Sequence, residues 1–213
     1  CHNTSRNSYR NYGFKCFEEL MKKLLILCLL LSLSATALNI KDIKFINSEG
    51  KKVELSQVDS EIIFEWANLE CPYVKRHYGS NNMQTTQEFA KSKNIMWITV
   101  ISSANGKQGY IPPKEAMNTF ASFGSFPDHV LIDENGDLGK QFNAKTTPHI
   151  FIADKNKNIV YQGAIDDAGG SKFWTTDLKE STNFVRTVIS DIKSKKPVSV
   201  SKTRPYGCSV KYG

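Results

Sequence analysis

Cys71 is the residue whose type and setting promise chemistry. It follows an apolar run, Glu61-Ile62-Ile63-Phe64-Glu65-Trp66, and precedes Pro72 and a polar stretch of helical character. Proline suits the first helical position, where the missing N–H would have no intrahelical partner anyway. A sulfur just before it faces unpaired backbone N–H groups and the positive end of the helix dipole. Such a place favours the nucleophilic thiolate, whose pKa can fall from ~8.5 to roughly 3.5–7.5. Lys75 and Arg76 sit in the first turn as thiolate-stabilising cations, while Glu70 pulls the other way. The alternative is an inert cysteine buried in a core strand.

A thiolate that forms a mixed disulfide or a sulfenic acid needs a second sulfur to release its product. The chain has 213 residues and five cysteines. Met21-Lys22-Lys23, the apolar run Leu24 to Leu33 and the triplet Ala35-Thr36-Ala37 read as a secretory signal peptide over residues 21–37, cleaved after Ala37. Residues 1–20 carry no hydrophobic pattern and read as a non-native upstream extension. The apolar run is shorter than the ~20 residues that span a bilayer, so an integral membrane protein is not expected. Only Cys71 and Cys208 outlast that processing, in an exported chain that would be periplasmic or extracellular if bacterial. In an oxidising compartment the pair is a long-range staple or the two halves of a redox site. An unpaired Cys208 is the third possibility.

The formal net charge of +7 comes from lysines spread along the chain without a polybasic block. Nothing there points to nucleic acid or to a membrane surface. Two cysteines and scattered histidines give no metal-ligand spacing, and no cofactor is expected.

The elements that must position Cys71 follow from hydrophobic period. Lys41 to Ile46 and Lys52 to Leu55 form an N-terminal hairpin about the turn Asn47 to Gly50. Glu61 to Trp66 is the first central strand. Pro72 to Lys93 is helical but is interrupted at Gly79-Ser80-Asn81-Asn82, so a short helix, a kink and a second piece from Met83 to Lys91 are predicted. Asn94 to Ile101 is nearly all apolar, as a parallel strand buried on both faces would be. Ser102 to Pro112 is a loop, Pro113 to Gly124 a helix and Asp128 to Ile132 a strand. Glu134 to Asp137 is a turn, and His149 to Ala153 with Asn158 to Gln162 makes a hairpin. A last helix covers Thr182 to Ser194, with Phe184, Val185, Val188, Ile189 and Ile192 on one face. Residues 38–196 thus read as one α/β domain, and 197–213 as a C-terminal tail. Its aromatic and cysteine content suits a segment folded back on the domain.

That order of elements, with Cys71-Pro72 opening a kinked helix and Thr147-Pro148 before a terminal hairpin and helix, resembles the thioredoxin fold. The resemblance implies a thioredoxin-like three-layer sandwich with a central mixed sheet. It further implies a cis Thr147–Pro148 bond facing Cys71, with the Thr147 backbone able to pair with an extended partner chain. Pro72, Tyr73, Thr147 and Pro148 then line the partner's site, with Trp66 and Tyr73 flanking the sulfur. More closely, the sequence is similar to exported redoxin-domain proteins of the alkyl hydroperoxide reductase and thiol-specific antioxidant superfamily. The similarity rests on Cys71-Pro72-Tyr73-Val74-Lys75-Arg76-His77-Tyr78, Val100-Ile101-Ser102-Ser103, Gly106 to Tyr110, Lys145 to His149, Gly163 to Asp167 and Arg204 to Tyr212.

The departures from those families shape the expected activity. Val74 stands where thioredoxin has its second cysteine, so no local dithiol forms. Asn68 and Phe64 stand where a peroxiredoxin has the Thr or Ser and the proline that bind peroxide. The expected function is an oxidoreductase in which Cys71 attacks and Cys208 resolves, acting on a thiol or disulfide protein partner or a small thiol reductant. A thiol-dependent peroxidase with antioxidant activity, and a non-enzymatic domain braced by a Cys71–Cys208 disulfide, are the alternatives. His77 and His149 are read as packing residues before proton shuttles, and Asp166-Asp167 as a loop and cap feature before an acid pair.

Overall fold

The computed structural model describes residues 38–213, and both readings of residues 1–37 lie outside the described residues. Strands β1 (Lys44–Ile46) and β2 (Lys52–Glu54) form the N-terminal hairpin, with Phe45 opposite Val53. β3 (Ile62–Trp66) is buried along its whole length. Two helices follow it, α1 (Pro72–Gly79) and α2 (Asn82–Ser92), and the break falls at Asn81, whose φ of 62° lies in the left-handed region. β4 (Met96–Ile101), α3 (Pro113–Ser122) and β5 (His129–Ile132) come next. α4 (Asp137–Phe142) is a six-residue helix, β6 (Thr146–Thr147) a two-residue strand, and β7 (His149–Ala153) and β8 (Ile159–Gly163) the second hairpin. α5 (Phe184–Lys193) and β9 (Cys208–Ser209) close the chain.

The central sheet has the order β5-β4-β3-β7-β8. β3, β4 and β5 run parallel, and β7 and β8 are antiparallel additions. The parallel half explains why β3 and β4 are apolar on both faces: each face is covered. Ile62, Phe64 and Trp66 pack with Ile98, Val100, Phe151 and Phe142, towards the hairpin and α4. Ile63 packs with Trp97, Ile150 and Ile152 against Val74, Met83, Phe120 and Val188 of the four longer helices. The result is the expected layering, a mixed sheet between a helix layer and a layer of hairpin plus short helix. This is a thioredoxin-like fold.

The sequence reading missed α4. Its run Glu134-Asn135-Gly136-Asp137 has the residues of a turn, and a six-residue helix has no period to detect. Its first turn is capped from just upstream: the Asp133 carboxylate accepts from the Leu138 N–H at 3.0 Å and the Gly139 N–H at 2.8 Å. Among the described residues no helix is long and apolar enough to cross a membrane.

Candidate active site

Cys71 is the N-cap residue of α1, with φ −68° and ψ 125°, and Pro72 begins the helix. The approach to it is an Asn-centred turn. The Asn68 side-chain oxygen accepts from the Glu70 N–H at 2.9 Å, and the Asn68 carbonyl accepts from the Cys71 N–H at 2.9 Å. The Asn68 amide in turn donates to the Gln108 carbonyl at 3.2 Å, tying the turn to the long loop after β4. Gly109 lies against that amide with φ +81°, and a Cβ there would overlap it. At the position where a peroxiredoxin binds peroxide, this chain therefore has a buried residue that builds the cysteine's turn.

Three elements meet at the Cys71 sulfur. The Thr147–Pro148 bond is cis, and the Cys71 thiol donates to the Thr147 carbonyl at 3.1 Å. The tail brings Cys208 to the same place, with its sulfur 2.7 Å from that of Cys71, although 137 positions separate them. Both are free thiols, about 0.7 Å beyond the ~2.05 Å of a disulfide. Cys208 is held there by backbone pairing: β9 runs antiparallel to β6, with Cys208 opposite Thr147 and Ser209 opposite Thr146.

The two sulfurs differ in acidity. Burial works to raise the Cys71 thiol. It is outweighed by the Cys208 thiol, the backbone N–H groups of Val74 and Cys208, and the Thr147 hydroxyl, so the thiol is held below its ordinary value. The Val74 N–H draws the sulfur's charge without the alignment of a capping hydrogen bond. The Thr147 hydroxyl is buried and has no full hydrogen bond of its own. Cys208 is pushed up to about 12, first by burial and then by its hydrogen bond to Cys71 and the charge there. The charge of the pair therefore belongs on Cys71.

Two expectations need correction. Arg76 does not point its charge at the sulfur. Its guanidinium donates to the Thr176 carbonyl at 2.6 Å and lies 4.6 Å from the centre of the Phe173 ring, while Lys75 is exposed. An N-cap sulfur faces along the helix axis, whereas side chains at the fourth and fifth positions after it fan outward. Trp66 does not flank the sulfur either. It is fully buried on the opposite face of the sheet among Phe64, Phe142 and Phe151, with its indole N–H donating to Ser102 at 3.0 Å. Pro72 follows Cys71 as the first residue of α1. Tyr73 stacks on Phe173 with ring centres 4.7 Å apart and on the exposed Trp174 at 5.3 Å.

The residues that reading the sequence missed are those that fasten the tail. Tyr206 donates its hydroxyl to Asp166 in a very short hydrogen bond. The same oxygen is 3.1 Å from His77 Nε2. Asn82 bridges the other side, 3.0 Å from His77 Nδ1 and 2.8 Å from Asp166 Oδ2. One proton arrangement satisfies every member: His77 neutral with its proton on Nε2, accepting from Asn82 through Nδ1. Burial, with Arg76 beside it, keeps His77 neutral by moving its pKa down to about 3. Asp166, read as a loop and cap residue, is thus the anchor of a network of buried polar groups. The one signal in the sequence was a tyrosine two residues before the cysteine. His149 accepts from the Lys145 N–H at 3.2 Å and is a packing residue, as expected.

A buried carboxyl lies on the same side of the sheet. Glu65 of β3 accepts from Tyr78 at 2.9 Å, the Trp97 indole at 3.0 Å, Thr99 at 3.2 Å and Gln87 at 3.4 Å. Burial pushes its pKa up to about 7 against the pull of those bonds.

Comparison with known proteins agrees with this fold. No curated protein matches the chain. Among solved structures it is similar to a hypothetical protein from Sinorhizobium meliloti 1021, with 16% identity, a TM-score of 0.70 and coverage of 84% of this chain and 95% of that one. It is similar also to an uncharacterised conserved protein from Geobacillus kaustophilus, with 20% identity, a TM-score of 0.69 and coverage of 84% and 94%. Residues 35–177 match the redoxin family, and the chain belongs to that family.

Proposed function

We propose that this protein is an exported thiol–disulfide oxidoreductase in which Cys71 is the nucleophile and Cys208 the resolving thiol. The observation that carries the proposal is the meeting of the two sulfurs at 2.7 Å, with Cys71 at a helix N-terminus and opposite the Thr147 carbonyl. Export rests on the signal-peptide pattern of residues 21–37.

The chemistry follows from the acidity difference. The Cys71 thiolate attacks one sulfur of a partner disulfide; that S–S bond breaks, the partner's other sulfur leaves as a thiolate, and a mixed disulfide remains. Capped in this way, Cys71 carries no charge. Two of the three effects that hold the Cys208 proton, the hydrogen bond to Cys71 and the charge there, are then gone. Cys208 loses its proton to solvent and attacks the Cys71 sulfur. The partner departs as a dithiol, and the Cys71–Cys208 disulfide keeps the two-electron oxidation. A reductant of the dithiol class resets the pair. The partner is a disulfide-bearing protein or a small thiol couple, and no cofactor enters the steps.

Cys71→Ser is expected to abolish exchange with a disulfide probe while leaving the thermal unfolding of the reduced protein within a few degrees of wild type; turnover at the wild-type rate would refute the assignment. The competing reading, a fixed brace, is tested by the reduction potential of the Cys71–Cys208 bond. A value in the range of about −120 to −270 mV supports exchange, and one below about −300 mV supports a brace.

A further inference from the structure

The two sulfurs of the pair differ in reach. Cys71 has no exposed surface, whereas Cys208 on the tail is partly exposed. They lie 2.7 Å apart, so joining them as a disulfide moves neither far, and Cys208 is the sulfur of that bond which a second reactant meets. The sulfur that leaves is then Cys71, the more acidic of the two, and the more acidic thiol leaves faster.

What surrounds Cys208 is basic. A cleft of about 580 Å³ is lined by Lys145, Thr146, Lys202, Thr203, Arg204 and Pro205. Thr146 joins it to the site, since it pairs with Ser209 directly after Cys208. The Val210 N–H donates to the Lys145 carbonyl at 3.1 Å, and Lys211 comes next, its charge acting on the Cys208 sulfur. Lys202 and Arg204 thus precede that sulfur in the chain, Lys211 follows it, and Lys145 lies across the pairing. Lys145, Lys202 and Arg204 are exposed. No carboxylate lines the cleft, and the ion pairs among the described residues involve none of the four cations. Asp166 and Asp167 line a neighbouring cleft with Arg204. Asp166 is buried and taken up by Tyr206 and Asn82, and Asp167 accepts from the Thr182 N–H. A cleft lined by charges of one sign focuses their field and raises the local concentration of the opposite charge.

We infer that this basic cleft is the docking surface for an acidic segment of the partner that resets the pair, a protein carrying a dithiol. The inference rests on the exchange chemistry proposed above and adds the kind of reductant. One thiolate of the dithiol attacks Cys208; the Cys71–Cys208 bond breaks, and Cys71 leaves as a thiolate. The second thiolate of the dithiol then displaces Cys208. Two electrons pass to the pair, the dithiol ends as a disulfide, and of its two protons one goes to Cys208 and one to solvent. Cations set on both sides of the sulfur suit a segment of chain better than a single small anion.

The test uses the full chain with the Cys71–Cys208 bond formed and two dithiol peptides that share a Cys-Ser-Ser-Cys core, one flanked by glutamates and the other by glutamines. Reduction is followed by acid quench and mass mapping. Each rate is divided by the same peptide's rate on hydroxyethyl disulfide, which removes differences in intrinsic thiol reactivity. At low salt the acidic peptide is expected to be about tenfold or more faster. That advantage is expected to shrink severalfold at high salt, and also in the variant Lys145→Gln/Lys202→Gln/Arg204→Gln. The salt series needs only wild type, so it stands whether or not the variant folds.

Equal normalised rates overturn the inference, as does an advantage that salt or the folded variant leaves unchanged. If mercaptoethanesulfonate gains as much over mercaptoethanol as the acidic peptide gains over its neutral twin, one charge suffices and the acidic segment falls. In each of these cases the pair is still reduced, and the proposed function stands. A pair that neither peptide nor a small dithiol reduces takes both down.

Discussion

Two buried carboxyls, Glu65 and Asp166, sit in polar networks of similar size and do different things because of where their partners come from. Every donor to Glu65 belongs to the central domain: Tyr78 from α1, Gln87 from α2, Trp97 and Thr99 from β4. Asp166 is fully buried too, but one of its hydrogen bonds comes from Tyr206 in the tail. The first network joins the sheet to the helices that cover it. The second joins the domain to the segment that lies over its reactive sulfur. Buried polar groups must be satisfied in either case; what differs is whether satisfying them ties the sheet to its helices or ties the C-terminal segment to the rest of the chain.

The largest expected effect of this difference is on stability. Glu65→Ala strands the donors of Tyr78, Trp97 and Thr99 in the core and should cost about 3–5 kcal/mol in denaturant unfolding. Asp166→Ala should cost about 1–3 kcal/mol yet expose Cys208 to alkylation and the tail to proteolysis. Equal losses with the tail still protected would erase the distinction.

The next test is the pH dependence. Glu65 in the folded chain is raised to about 7 from 4.5, so the folded state holds a proton that the unfolded state gives up. The contribution of Glu65 to stability is therefore greatest below about pH 4.5 and declines as pH rises through 7, with a limiting slope of ~1.4 kcal/mol per unit and roughly 3 kcal/mol in all. Glu65→Gln should flatten that decline. A difference in stability between wild type and Glu65→Gln that does not change with pH across this window would contradict the assignment.

Smaller effects concern the tail and the sulfur. Tyr206→Phe removes the hydroxyl shared by Asp166 and His77, and should weaken tail docking by about 1–2 kcal/mol. Cys71 alkylation would then rise while the main unfolding transition stays in place; if the transition shifts with it, the tail is part of the core. Thr147→Val should raise the pH midpoint of Cys71 alkylation by a fraction of a unit, since it removes a hydroxyl that favours the thiolate. A lowered midpoint would show that hydroxyl acting otherwise.

The parts of the fold legible in the sequence are those built by local pattern. The apolar runs of β3 and β4, the stripe on α5 and the proline after Cys71 each state their element within a few residues. Thr147-Pro148 was legible only through a resemblance. What stayed hidden was too short to show a period or was built by distant partners: α4 has six residues, β9 is a two-residue pairing, and Tyr206 is fastened by residues 40 and 129 positions away. Arg76 and Trp66 were misplaced for a related reason. Nearness in sequence to a reactive cysteine does not say on which side of a helix or sheet a side chain will fall.

The roles of the two cysteines are tested most directly by the fate of the partner. Wild type and Cys208→Ser are each reacted with a disulfide-bonded peptide, quenched with acid and mapped by mass spectrometry. Wild type is expected to end as a Cys71–Cys208 disulfide with the peptide released as a dithiol, and Cys208→Ser to accumulate the peptide bound to Cys71. Turnover by Cys208→Ser without such an adduct would contradict these roles.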